Sequence, residues 1–172
     1  MQIENIVSSG SFNQEIDLQR LSESLDCIHY GHNRYPAAYA RFDGHSITIY
    51  HTGKYIMPGM RSVEQTAEVF DKLKSMLSPY IDVSLSSDPI IRNIVASSNI
   101  GYDLDLRELC LKMYHGDLDA VYEPESFPGL ILKTSEVTFN VFQSGKFLIL
   151  GCTSIECALS SETLFKDLIS NL

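Results

Sequence analysis

The chain's most distinctive side chains occur twice. In NRYPAAYARFDGHSITIYHTGK, residues 33–54, Tyr35 precedes Pro36, Tyr50 closes an alternating run, and Gly53-Lys54 follows. In EPESFPGLILKTSEVTFNVFQSGK, residues 123–146, Phe127-Pro128, Phe142 and Gly145-Lys146 occupy the same places, 92 residues further on. Rings at this spacing with lysines beside them supply broad apolar contact and scattered positive charge. They supply neither a nucleophile nor an acid–base pair, and no catalytic set assembles elsewhere. Four of the five histidines (His29, His32, His45, His51) lie in the first half at spacings that fit no metal motif. Ser, His and Asp occur without a nucleophile elbow. The four cysteines lack CxxC spacing and read as reduced core thiols of an intracellular protein. Gly53-Lys54 and Gly145-Lys146 lack the flanking glycine and hydroxyl residue of a phosphate loop. The expectation is a protein with no catalytic residues, no cofactor and no metal.

Length and composition bound the rest. The chain has 172 residues, is 44% hydrophobic and has no Trp, as expected of one globular domain or two small halves sharing a core. No apolar run approaches the ~20 residues of a membrane span, and MQIENIVSSG lacks the features of a signal peptide. The net charge of −9 argues against a generally basic nucleic-acid coat. It leaves room for a local basic rim and suits basic protein partners.

The elements that hold these residues also repeat. Residues 5–9 read as a strand and 17–27 as a short helix with Leu18, Leu21 and Leu25 on one side. Ala37–Phe42, a tight Asp43-Gly44 turn, residues 46–51 and residues 54–58 read as three strands. Residues 62–77 form the longest helix, opened by Ser62 and Gln65 at capping-box spacing, with a stripe of Val63, Ala67, Phe70, Leu73, Lys74 and Leu77. Ser78-Pro79 ends it. Residues 91–97 then repeat residues 3–9, and 105–109 repeat 17–21, both at an offset of 88. A final helix over about 154–169 carries Thr153 and Glu156 as its capping pair. The halves divide at 1–84 and 85–172 and make one continuous α+β unit, an antiparallel sheet with helices on one face.

Alternation then sorts the strand residues. Ile47 and Ile49, and Val137, Phe139 and Val141, face the helices. Tyr50 and Phe142 fall on the uncovered face, with Lys54, Ile56, Pro58, Lys146, Leu148 and Leu150. Tyr35 and Phe127 join them by parity with Arg41 and Lys133. A large apolar patch with cations on it is a dimer interface, a second core or a binding surface.

At these residues the sequence resembles the core of the TATA-binding protein family. The motifs are Asn-Ile-Val at Asn5 and Asn93, Tyr-Glu-Pro-Glu-x-Phe-Pro-Gly from Tyr122 to Gly129, and Phe-x-Ser-Gly-Lys from Phe142 to Lys146. The likeness runs through both halves in register. It implies a saddle of ten antiparallel strands with four helices on its convex face, and a concave face that binds and bends promoter DNA from the minor groove. By the same resemblance Tyr35 and Tyr50, and Phe127 and Phe142, are wedge pairs. Asn5 and Asn93 read the central base pairs, flanked by apolar contacts from Val7, Val95, Ile56 and Leu148. Arg41, Lys54, Arg61, Lys133 and Lys146 touch phosphates. Glu123, Glu125 and Ser126 grip a IIB-type transcription factor, which brings RNA polymerase indirectly. The implied state on DNA is a monomer, with a dimer as the alternative off DNA, in a nucleus or an archaeal cytoplasm. The sequence departs from the family pattern at Pro58 and Leu150, where central threonines are usual, at Thr48 and Asn140, and in its tyrosine first pair. These departures raise an alternative: a divergent paralogue with weakened DNA binding that acts as a protein-interaction scaffold.

Overall fold

The computed structural model describes residues 1–31 and 36–172. Two compact units divide the chain: residues 5–92, and residues 1–4 together with 93–172. In chain order the first half contributes β1 (Gln2–Ser11), α1 (Leu18–Ser24), β2 (Ile28–Tyr30), β3 (Ala37–Phe42), β4 (His45–Tyr50), β5 (Lys54–Met60) and α2 (Val63–Leu77). A 3-10 turn, Val83–Leu85, follows. The second half contributes β6 (Ile90–Asn99), α3 (Leu106–His115), β7 (Asp119–Val121), β8 (Leu130–Lys133), β9 (Thr138–Val141), β10 (Lys146–Cys152) and α4 (Ile155–Ser170). The strands run β2-β3-β4-β5-β1 in one half and β6-β10-β9-β8-β7 in the other, antiparallel throughout. Ten antiparallel strands and four α-helices are thus observed among the described residues, as expected. The three-residue β2 and β7 carry too little pattern to read from sequence.

Each unit packs its helices on one face through an aromatic trio. In the first, Tyr55 stacks on Phe70 with centroids 5.1 Å apart, and Phe12 tilts against both. In the second, Phe165 stacks on Phe139 at 4.6 Å and tilts against Phe147 at the same distance. All but Phe139 are essentially buried to the last atom, so each ring contributes a few kcal/mol of apolar burial. The strand ring is common to both repeats, Tyr55 matching Phe147. Its helix partner moves one turn along, from Phe70 to Phe165, and Glu162 stands where Phe70 would be repeated.

Two helix readings change. The buried stripe of α2 is Thr66, Val69, Phe70, Leu73 and Leu77, while Val63 and Ala67 face solvent. Thr66 can be buried because its hydroxyl donates to the Ser62 carbonyl. Ser62 does cap α2, accepting from the Gln65 N–H at 3.0 Å, but the Gln65 side chain reaches the Arg61 N–H rather than that of Ser62. On α4 the cap is Ser154, which accepts from the Cys157 N–H, and not Thr153. Both residues offer a hydroxyl three positions before a helix residue; Ser154 has the extended backbone of an N-cap and directly precedes the helix. Among the described residues no helix is long and apolar enough to cross a membrane.

Candidate nucleic-acid interface

The pairing register lines up the uncovered face of each unit. Thr48 lies opposite both Tyr39 and Ile56, and Ile56 lies opposite Ser9. In the second unit Asn140 lies opposite Ile131 and Leu148, and Leu148 opposite Ser97. Along the inner strands the helix-side residues are buried, while Asn5, Val7, Tyr50, Ile56, Asn93, Val95, Phe142 and Leu148 remain half-exposed, as does Phe127 just before β8. Tyr35 lies outside the described residues. Tyr39, 40% exposed, also belongs to this face; the alternation that places Arg41 there places Tyr39 as well.

One bulge organises the centre of each patch. Between β1 and β5 the register jumps from Ser8↔Met57 to Ile6↔Met60, one extra residue on β5. Pro58, which has no N–H for the ladder, sits within it, so the strand continues past the proline by bulging. Between β6 and β10 the register jumps from Val95↔Leu150 to Ile94↔Cys152. Gly59 and Gly151 occupy these bulges with φ of +88° and +102°, which glycine adopts without steric cost. The freed N–H groups point at the two asparagines. Gly59 N–H donates to Asn5 Oδ1 at 2.8 Å, and Gly151 N–H to Asn93 Oδ1 at 3.1 Å. A donor facing the carboxamide fixes which end is oxygen. Each Nδ2 amino group is left without a partner among the described residues.

The second unit's ring pair is preformed. Phe127 and Phe142 meet edge-to-face with centroids 5.9 Å apart. Gly129 makes room for them: a Cβ there would stand 2.8 Å from Phe127 Cε1, 2.9 Å from the Val141 carbonyl oxygen and 3.2 Å from Phe142 Cε1. The acidic turn holds Phe127 from the other side. The N–H groups of Ser126 and Phe127 both donate to the Glu123 carbonyl, at 3.0 and 2.9 Å, and Glu123, Glu125 and Ser126 are exposed.

Charge is segregated within this acidic chain. Among the described residues only two of the acidic side chains, Glu4 and Asp119, lie in strands, against five cations, Arg41, Lys54, Arg92, Lys133 and Lys146. Lys72, Lys74, Lys112 and Lys166, all on helices, are in ion pairs. Among the described residues Arg41, Lys54, Arg61, Lys133 and Lys146 are exposed and in none. The Asp43 carboxylate of the first hairpin loop bonds Lys72 of α2 at 2.6 Å, which holds its carboxyl below the usual range. No three His, Cys, Asp or Glu side chains are placed to hold a metal among the described residues. The arrangement suits a ligand that is flat or deformable, apolar along its middle, rich in acceptors and flanked by anions.

The comparisons agree with this geometry. The family model for transcription factor TFIID, or TATA-binding protein, matches residues 1–80 and 88–172. TATA-box-binding protein 2 of Haloferax volcanii is 29% identical over 180 residues, spanning 100% of this chain and 92% of its own. The TATA-box-binding protein of Pyrobaculum neutrophilum is 34% identical over 157 residues, spanning 88% and 78%. Among solved structures, Methanococcus jannaschii TBP superposes with a TM-score of 0.85 at 27% identity over 99% of this chain and 98% of that one. The chain belongs to the TATA-binding protein family of transcription factors, as a divergent member.

Proposed function

We propose that this protein binds A·T-rich promoter DNA in the minor groove, bends it, and recruits a IIB-type factor and through it RNA polymerase. The observation that carries the reading is the matched pair of asparagines whose Oδ1 atoms are occupied by Gly59 and Gly151, so that each presents an amino group. In the minor groove A·T pairs offer only acceptors, adenine N3 and thymine O2, while guanine adds an amino donor. A fixed amino donor therefore favours A·T and meets guanine donor to donor. Val7, Val95, Ile56 and Leu148 supply the apolar floor. Phe127 and Phe142, and Tyr35 and Tyr50 in the other half, act as wedges that unstack base steps and turn the duplex onto the sheet, a mechanism of which TATA-binding proteins are the type case. Arg41, Lys54, Arg61, Lys133 and Lys146 set register on phosphates. The repeats 1–84 and 85–172 serve as two half-surfaces, and only the second carries Glu123, Glu125 and Ser126, which gives the complex a direction. Archaeal relatives favour an archaeal cytoplasm as the setting.

Phe127→Ala tests the wedge. Loss of one stacked ring costs about 1–3 kcal/mol, roughly 5–150-fold in affinity, with reduced end-to-end energy transfer in a doubly labelled duplex. Unchanged affinity and bend in a folded Phe127→Ala protein refute it. The apolar Pro58 and Leu150 at the patch centres favour one second reading, a protein-interaction scaffold. A dimer by sedimentation that Ile56→Asp and Leu148→Asp dissociate, with no DNA binding, would establish that instead.

A further inference from the structure

The second unit holds a pair of thiols that the proposed DNA-binding role does not use. Cys152 ends β10 and is buried; Cys157 lies in the first turn of α4 and is half-exposed. The Cys157 Sγ donates to the Cys152 Sγ at 2.7 Å. The remaining cysteines are apart from them: Cys27 Sγ faces Met76 Sδ at 3.3 Å, and Cys110 Sγ faces the Ala120 carbonyl at 3.8 Å. The first repeat has no such pair, since Met60 and Gln65 occupy the matching positions and Gln65 is engaged with the Arg61 N–H. We infer that Cys152 and Cys157 form a reversible dithiol–disulfide site, oxidised by peroxide or by exchange with a small disulfide.

The geometry orders the steps. Cys157, half-exposed, meets the oxidant first, while Cys152 is buried and burial, with the Cys157 thiol beside it, pushes its thiol up. The Cys157 sulfur attacks one peroxide oxygen; the S–O bond forms, the O–O bond breaks, and hydroxide leaves as water with the thiol proton. The Cys152 sulfur then attacks the resulting sulfenic acid. The S–S bond forms, the S–O bond breaks, and the second water carries away the Cys152 proton. Two thiols and one peroxide give one disulfide and two waters. The two sulfurs must close by only about 0.7 Å to reach a disulfide bond length. Cys152 directly follows Gly151, whose N–H holds Asn93, so the new bond anchors the bulge to α4.

The test is the full-length reduced protein titrated with hydrogen peroxide and, separately, with oxidised glutathione, then denatured and alkylated. The expected result is a fall from four alkylatable thiols to two. The tryptic peptide 147–166, which contains both cysteines, should be two hydrogens lighter and unalkylated, and dithiothreitol should reverse both changes. Cys157→Ser should abolish the change; Cys152→Ala is the second variant should the first fail to fold. Four thiols still alkylated, or oxygen added to Cys157 with Cys152 still free, overturns the inference. These readouts need no DNA, so their failure is distinct from failure of the DNA-binding reading.

Discussion

Replacing Asn93 with aspartate separates binding from folding. The Gly151 N–H donates to Asn93 Oδ1, and an aspartate keeps an oxygen at that place. The contact becomes charge-assisted, so the bulge should survive and stability should stay within about 0.5 kcal/mol of the parent. What changes is the other end of the side chain. The Nδ2 amino group becomes a carboxylate oxygen, and an acceptor then faces the groove's acceptors. Loss of the hydrogen bond, about 1 kcal/mol, and the unmet groove acceptor, about 1–3 kcal/mol, together approach 3 kcal/mol. That corresponds to roughly a hundredfold loss of affinity. Asn93→Ala behaves differently: it removes the donor but also orphans the Gly151 N–H, so it should lower both affinity and Tm. Fluorescence anisotropy with a labelled A·T-rich duplex at fixed salt, paired with thermal melts of the free proteins, reads both quantities. Binding of Asn93→Asp within twofold of the parent refutes the donor argument. A collapse of its Tm refutes the claim that Gly151 fixes the carboxamide.

Three further outcomes follow from the packing. Gly129→Ala places a methyl against Phe127, Phe142 and the Val141 carbonyl, and overpacking of this kind costs about 1–3 kcal/mol; it should lower Tm and weaken DNA binding together, and a parent-like protein would show that the rings yield freely. Glu162 is largely buried; burial opposes its charge, but hydrogen bonds from Lys166 and Ser98, with the N-terminal ammonium, outweigh it and hold the carboxyl at about 2. A depressed folded pKa stabilises above the unfolded value and is lost as pH falls through the folded one, so at most about 3 kcal/mol disappears between pH about 4.5 and about 2. Denaturant melts should show Glu162→Gln flattening that acid limb, and an unchanged limb would contradict the assignment. Glu123→Ala with Glu125→Ala should leave DNA affinity intact and weaken capture of a IIB-type factor on DNA by gel shift; equal capture would count against the acidic turn.

Much of this architecture can be read from the chain because it is written twice. The repeat sets the parity of every strand, and parity alone separates Ile47 and Phe139 from Tyr50 and Phe142. What resists reading is set by hydrogen bonds, local and long-range, that the apolar pattern does not carry. The stripe of α2 keeps Phe70, Leu73 and Leu77 but takes in Thr66 and Val69 in place of Val63 and Ala67, and Thr66 is buried through a local hydrogen bond, which hydrophobicity does not encode. Asn5 and Asn93 are visible as residues, but the orientation of their carboxamides depends on N–H groups some 54 and 58 residues away. Pro58 does announce its bulge; Gly151, with no proline beside it, does not. Glu162, at the position repeating Phe70, looks like a solvated helix residue until Ser98 and Lys166 are brought to it.

The most direct test of the central claim uses base chemistry. Three labelled duplexes of one length are compared: an A·T-rich site, the same site with every A·T replaced by I·C, and the same site with G·C. Inosine lacks the guanine amino group, so I·C keeps the acceptor-only minor groove of A·T while its major groove resembles G·C. The account predicts near-equal binding and bending for A·T and I·C, and weak binding for G·C. I·C behaving like G·C, or equal affinity for all three, would contradict it.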